Sequence, residues 1–149
     1  MQKIVVAVDG SEPARRAVRR AADLTRRYGA ELVLVHVLPP GAREVIPKEL
    51  ADYAEIEHID VRRGDLVRSI AEQIVRQAEA DARALGVAQL RSVIETGDPA
   101  SALAALATAE KADLIVMGRR GLGALAGLLL GSVSHKITQL AACDCLMVA

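Results

Sequence analysis

The 149-residue chain predicts an α/β fold, a single domain spanning 1–149 in which five strands form one doubly wound, parallel sheet with helices on both faces. Three observations lead there. Continuous apolar, β-branched runs bounded by turn signals recur along the chain, as in KIVVAV at 3–8 and ELVLVHVL at 31–38, and such runs mark strands buried on both faces. Stretches with apolar residues spaced by three and four separate them, which gives βαβ units and right-handed crossovers. No Pro-, Gly- or Ser-rich linker divides the chain, and its length suits one core.

The elements follow in order. The first strand, 3–8, stops at Asp9-Gly10, and Ser11 then caps a helix with Glu12 and Pro13 in its first turn. Ala14, Ala17, Val18, Ala21, Leu24 and Tyr28 mark one face of that helix until Gly29 ends it, while the arginines at 15, 16, 19, 20, 26 and 27 form a solvated face. The second strand, 31–38, contains His36, read as a core or near-core histidine with its hydrogen bonds satisfied. Pro39-Pro40-Gly41 follows, and Leu50, Tyr53, Ala54 and Ile56 suggest a short helix over 47–58.

A longer helix is expected over 65–85, from Leu66, Ile70, Ile74, Ala78, Ala82 and Leu85, with Gly86 closing it. QLRSVIE at 89–95 reads as a strand, Asp98-Pro99 opens a helix to about Glu110, and ADLIVMG at 112–118 is the fourth strand. After a glycine-rich loop come a helix over 132–142 and a last strand, DCLMVA. Cys143 and Cys145 stand in a C-x-C pair with no nearby His or Cys cluster, so they read as buried thiols rather than metal ligands.

Composition narrows the function. Lys plus Arg and Asp plus Glu are each 19, so the formal net charge of +0 offers no electrostatic footprint for nucleic acid or an acidic membrane. Two tyrosines and no Trp or Phe leave no stacking platform for single strands. The first apolar run is too short for a signal peptide or membrane span, so the chain is expected in the cytoplasm.

The stretch MGRRGLGALAGLLLGSVSHKI, 117–137, carries the chemistry. Glycine inside a helix costs about 1 kcal/mol against alanine, so Gly118, Gly121, Gly123, Gly127 and Gly131 point to a loop that bends sharply or is closely approached. In a doubly wound sheet, ligands bind beyond the carboxyl ends of the strands where strand order reverses, which is where this loop and Asp9-Gly10-Ser11 lie. Gly131-Ser132 opens the next helix, whose unpaired N–H groups and dipole favour an anion, above all a phosphate. Ser132 and Ser134 can add hydroxyl donors, and Arg119, Arg120, His135 or Lys136 can supply charge. Neither the Walker loop nor the dinucleotide fingerprint is present.

Gly118, Gly121, Gly131 and Ser132 meet the pattern G-x-x-G-x9-G-[ST]. With IVVAVDGSEPA, ETGDPA and ADLIVMG, the chain resembles the universal stress protein family over nearly its whole length. The resemblance implies a flavodoxin-like strand order, 3-2-1-4-5, a homodimer through the last strand, and ATP binding by the glycine-motif branch. It also implies roles for single residues. Asp9 matches the acidic residue facing the nucleotide, in a position to help hold a divalent cation such as Mg²⁺ or Mn²⁺; Val37 matches an adenine-pocket position. Met117, Gly118, Gly121, Gly131, Ser132 and Val133 match the phosphate and ribose wall, and Ser134 adds a donor on the same helix. Cys143-Asp144-Cys145 departs from the commoner Cys-Pro before the last strand.

The function expected is an ATP-binding stress regulator or sensor with at most slow hydrolysis, since phosphoryl transfer needs a positioned base and charge clamps. An AMP or cyclic AMP binder, a nucleotide-consuming enzyme, and a dimeric interaction module without nucleotide are the alternatives.

Overall fold

The computed structural model describes residues 1–40, 63–121 and 131–149. Its strands are β1 (Lys3–Ala7), β2 (Glu31–Leu38), β3 (Leu90–Thr96), β4 (Leu114–Gly118) and β5 (Asp144–Val148). Its helices among the described residues are α1 (Glu12–Tyr28), α2 (Arg63–Ala84), α3 (Pro99–Ala109) and α4 (Ser132–Leu140). The helix expected over 47–58 lies outside the described residues, as do Gly123 and Gly127 of the glycine loop.

The strands pair in parallel in the order β3-β2-β1-β4-β5, as the resemblance implied. Val6 stands beside Leu34 on one side and Val116 on the other, so β1 is the central strand. Its neighbours are reached by crossovers in opposite directions, which places the switch point between the carboxyl ends of β1 and β4.

Alternation along a doubly covered strand feeds two cores. Leu32 and Leu34 of β2 pack with Val18, Ala21 and Ala78 under α1 and α2. Val33 and Val35 pack with Leu103, Ala107 and Ile137 under α3 and α4. Each fully buried Leu or Ile contributes about 1.5–3 kcal/mol, so a core without Phe or Trp is built from many modest increments. At the amino ends of the strands Lys3 bridges Glu31 at 3.2 Å and Glu110 at 2.8 Å, and Arg91 bridges Glu31 at 2.9 Å and also Glu110. This half-exposed network ties β1, β2, β3 and the end of α3 together, far from the carboxyl edge.

Small boundary shifts have local causes. β4 begins at Leu114 rather than 112 because the Asp113 carboxylate turns out to accept the backbone N–H groups of Gln2 and Lys3, at 2.5 and 2.9 Å. β5 begins at Asp144, so the missing Cys-Pro does not displace the strand. Both cysteines are free and half-buried, and their thiols are pushed up in pKa, first by burial and then, for Cys143, by the nearby Asp144 carboxylate. They behave as small packing groups beside Met147.

Candidate functional site

A cleft of about 520 Å³ opens at the carboxyl edge of the sheet, over the switch point, a size that suits a small-molecule site. Its walls come from the ends of β1, β2 and β4, from the start of α4, and from Ile70 and Ile74 of α2. Asp9, Val37, Met117, Gly118, Gly121, Gly131, Ser132, Val133 and Ser134 all line it. Residues scattered over 125 positions of sequence therefore meet in one place because parallel strands deliver all their carboxyl ends to the same edge.

Close approach requires one glycine there and sets a second against the end of a flexible side chain. A Cβ on Gly118 would stand 2.8 Å from Pro13 Cβ and 3.0 Å from the Arg120 carbonyl oxygen, so β4 can run under the start of α1 only without one. A Cβ on Gly121 would stand 2.6 Å from Asp9 Oδ2, so the loop after β4 passes directly against the carboxylate after β1. Asp9 Oδ1 also accepts the Ser11 N–H at 2.9 Å, and Ser11 Oγ accepts the Ala14 N–H at 3.3 Å to cap α1. Asp9 is thus half-buried in contact with both loops.

Gly131 is different. Its φ of −71° is open to any residue, and a Cβ there would meet its nearest neighbours at 3.5 and 3.6 Å, ordinary contact distances. The fold does not need glycine at this point. Yet Gly131 is the N-cap of α4, and the helix has no side-chain cap. Its first internal bond runs from the His135 N–H to the Gly131 carbonyl, at 2.9 Å, so the amides of Ser132, Val133 and Ser134 come before the helical ladder begins. Uncapped amides at the positive end of a helix dipole, on the wall of a cleft, form an anion cradle.

Ser134 takes a part that sequence reasoning did not assign. Its side chain is 2 % exposed and its hydroxyl donates to the Gly118 carbonyl at 3.1 Å, so it fastens α4 to the end of β4 rather than offering its proton to the cleft. The loop is held on its other side by the Arg119 N–H to Val148, at 2.7 Å, and by the Gly131 N–H to the Arg119 carbonyl, at 3.0 Å. The four cations that sequence placed near the loop separate clearly. Lys136 pairs with Asp98 at 3.4 Å, and Arg119 and His135 are not among the lining residues, whereas Arg120 lines the cleft. Among the described residues the Arg120 Nε is buried without a hydrogen-bond partner, an arrangement that costs on the order of 1–3 kcal/mol.

His36, expected as a near-core histidine, is half-buried, and its Nδ1 lies 2.7 Å from the Val8 carbonyl oxygen. A carbonyl only accepts, so Nδ1 carries the hydrogen and the neutral ring keeps its lone pair on Nε2. His36 also lines the cleft. Among the described residues, no group of three or more His, Cys, Asp or Glu is placed to hold a metal by itself. No helix among them is long and apolar enough to cross a membrane.

A doubly wound parallel sheet with a cleft over its switch point defines an open α/β protein of the kind whose ligands bind beyond the carboxyl ends of the strands. The chain belongs to the universal stress protein family, whose model matches residues 1–149. It is 38% identical to the universal stress protein in the QAH/OAS sulfhydrylase 3′ region of Thermus aquaticus, over 97% of this chain and 96% of that one. A universal stress protein solved in complex with cAMP superposes with a TM-score of 0.69 at 31% identity, covering 99% of this chain and 95% of that one. The universal stress protein from Archaeoglobus fulgidus in complex with dAMP shares the fold, with a TM-score of 0.70 at 22% identity over 100% of this chain and 98% of that one.

Proposed function

We propose that this protein binds ATP at the switch-point cleft and acts as a nucleotide-dependent stress regulator or sensor. The observation that carries the reading is the N-terminus of α4, whose first three amides have no side-chain cap among the described residues, on the wall of a cleft large enough for a nucleotide. Phosphate oxygens are the acceptors such amides lack. Val37 and Met117 would supply the apolar wall for the base, and Gly118, Gly121, Gly131, Ser132 and Val133 the surface for ribose and phosphates, with Ser134 holding that surface in place. A Mg²⁺ or Mn²⁺ ion would rest on Asp9 and on phosphate oxygens together, since one carboxylate is too small a donor set alone.

Hydrolysis is expected to be slow. Phosphoryl transfer needs a base that orients the attacking water, and the lining offers only Asp9, engaged with Ser11, and His36, held by Val8. The protein would then report nucleotide state by occupancy rather than turnover. A dimer through β5 accompanies the reading: an apolar edge strand without Lys or Pro is best covered by its own two-fold copy.

A second reading is favoured by the relative solved with cAMP, which is 31% identical to this chain. A cyclic nucleotide presents one phosphate to the α4 amides and needs no cation. Calorimetric titration of the purified protein with ATP, AMP and cAMP, with and without Mg²⁺, separates the two. ATP binding tighter than both supports the first reading; cAMP tightest and indifferent to Mg²⁺ replaces it with the second. No binding by any of the three removes both. Mass analysis of ligand released from the denatured protein checks the same point without choosing a probe.

A further inference from the structure

Arg120 is the one cation of the glycine loop that lines the cleft, and nothing in the phosphate cradle described above uses its side chain. We infer that Arg120 is the residue that makes the site select for phosphate: its guanidinium binds the phosphate chain of the nucleotide and thereby sets the preference for nucleotide over nucleoside. The inference rests on the nucleotide reading of the cleft and extends it to a residue with its own test.

Its position is the first argument. The backbone of Arg120 runs between two of the motif glycines. Its carbonyl oxygen is 3.0 Å from where a Gly118 Cβ would be, and its Cα is 3.5 Å from where a Gly131 Cβ would be. The residue before it is bonded to both flanks, by N–H to Val148 and by carbonyl to the Gly131 N–H. Arg120 therefore starts from a fixed base beside the first turn of α4.

Its hydrogen bonding is the second. The Nε is one of two buried side-chain polar atoms without a partner among the described residues; the other, Thr25 Oγ1, belongs to α1 and does not line this cleft. Arg120 also makes no ion pair among the described residues. A guanidinium normally satisfies Nε–H together with one Nη–H on a single two-oxygen acceptor, a carboxylate or phosphate. Turning that edge toward the cleft breaks no hydrogen bond at Nε among the described residues, and an acceptor arriving in the cleft would complete it. The nearby carboxylate, Asp9, is engaged with the Ser11 N–H and packed against Gly121, which leaves the phosphate as the acceptor that fits.

The chemistry sets the discrimination. Adenosine has no group for this edge; AMP, ADP and ATP do. Lysine in the same place would keep the charge and lose the two-pronged geometry.

The test compares adenosine, AMP and ATP by calorimetry on the wild type, Arg120→Gln and Arg120→Lys. Expected are a loss of tenfold or more in ATP affinity for Arg120→Gln, adenosine affinity within about twofold of wild type, and only partial recovery in Arg120→Lys. Unchanged adenosine binding in the variants shows that the cleft is still formed. An equal loss for adenosine and ATP makes Arg120 part of the wall and overturns the inference, as does an unchanged ATP affinity. A wild type that binds adenosine but gains nothing from phosphates overturns this inference alone; a wild type that binds neither overturns the nucleotide reading as well.

Discussion

Helix α3 opens on Asp98 and helix α4, which starts from the same edge of the sheet, opens on Gly131. Both N-caps have extended backbone with negative φ, and the difference that matters for the first amides lies in the side chains. Asp98 Oδ1 accepts the Ser101 N–H at 3.1 Å and the Ser101 hydroxyl at 2.8 Å, and Oδ2 takes Lys136 at 3.4 Å. Gly131 offers nothing. A helix end needs an acceptor for its first amides, and an acidic side chain is the usual internal one. Where the chain supplies it, the end is closed; where it does not, at a point on the cleft wall that would tolerate a Cβ, the end is open to an anion from outside, as the proposed reading requires.

Closing the open end should have the largest effect. Gly131→Asp would place at α4 the cap that α3 already has, and a carboxylate in the space the proposed function gives to phosphate. ATP affinity should fall at least tenfold, about 1.4 kcal/mol, while Tm stays level or rises slightly. Calorimetry and a thermal melt on the same sample decide it. Unchanged affinity would show that the bare end is not where the ligand sits.

Opening the closed end is the reverse experiment. Asp98→Ala strips the cap from α3 and the partner from Lys136, and Tm should drop by a few degrees. ATP affinity should stay within about twofold, since Asp98 does not line the cleft. If Asp98→Ala weakened binding as much as Gly131→Asp, the two helix ends would not be functionally distinct.

Much of this contrast was legible in the sequence. Asp98 before Pro99 signals a capped helix, and Gly131-Ser132 after spaced glycines signals an uncapped one, because capping depends on residues two or three apart. The strand order followed from the resemblance, and the β-branched runs gave the buried strands because their alternation serves two cores at once. What stayed hidden depends on distant partners. Ser134 binds the Gly118 carbonyl sixteen residues back, Lys136 reaches Asp98 thirty-eight residues back, and His36 meets Val8 twenty-eight residues back. Those three bonds decide which polar groups remain for a ligand, and nothing local in the sequence marks them. Arg120 differs from Arg119 in where the folded loop places it, half-buried on the cleft rather than exposed.

A third helix start sharpens the contrast further. At α1 the cap is Ser11, and the carboxylate beside it, Asp9, sits on the same cleft as the bare amides of α4. A negative group beside a phosphate site would repel the ligand unless a hard cation joins them. Asp9→Ala should therefore weaken ATP binding several-fold with Mg²⁺ present and less than twofold with EDTA. Equal losses in both titrations would make Asp9 a loop-bracing residue, acting through Ser11 and Gly121, and would take the cation out of the reading.

The smallest expected effect concerns how the closed end works. The Asp98 carboxyl is held below its ordinary pKa of 3.8, first by the Ser101 hydroxyl, then by the Ser101 N–H, with Lys136 adding to both. A carboxyl with a lowered folded pKa binds its proton more weakly in the native state than in the unfolded chain. Its charged form therefore stabilises the protein fully above the unfolded value, and that contribution fades as pH falls through 3.8 toward the lower folded pKa. Asp98→Asn keeps an oxygen to cap α3 but carries no charge, so it isolates the electrostatic part. The wild type should melt slightly above Asp98→Asn at neutral pH, and the gap should close in the acid range below 3.8. A gap that persists undiminished in acid would mean that Asp98 acts through hydrogen-bond geometry alone. In that case Asn is the poorer cap on geometry, a neutral Asn at position 131 would close the end of α4 less well than an Asp, and Gly131→Asn should then lose less ATP affinity than Gly131→Asp.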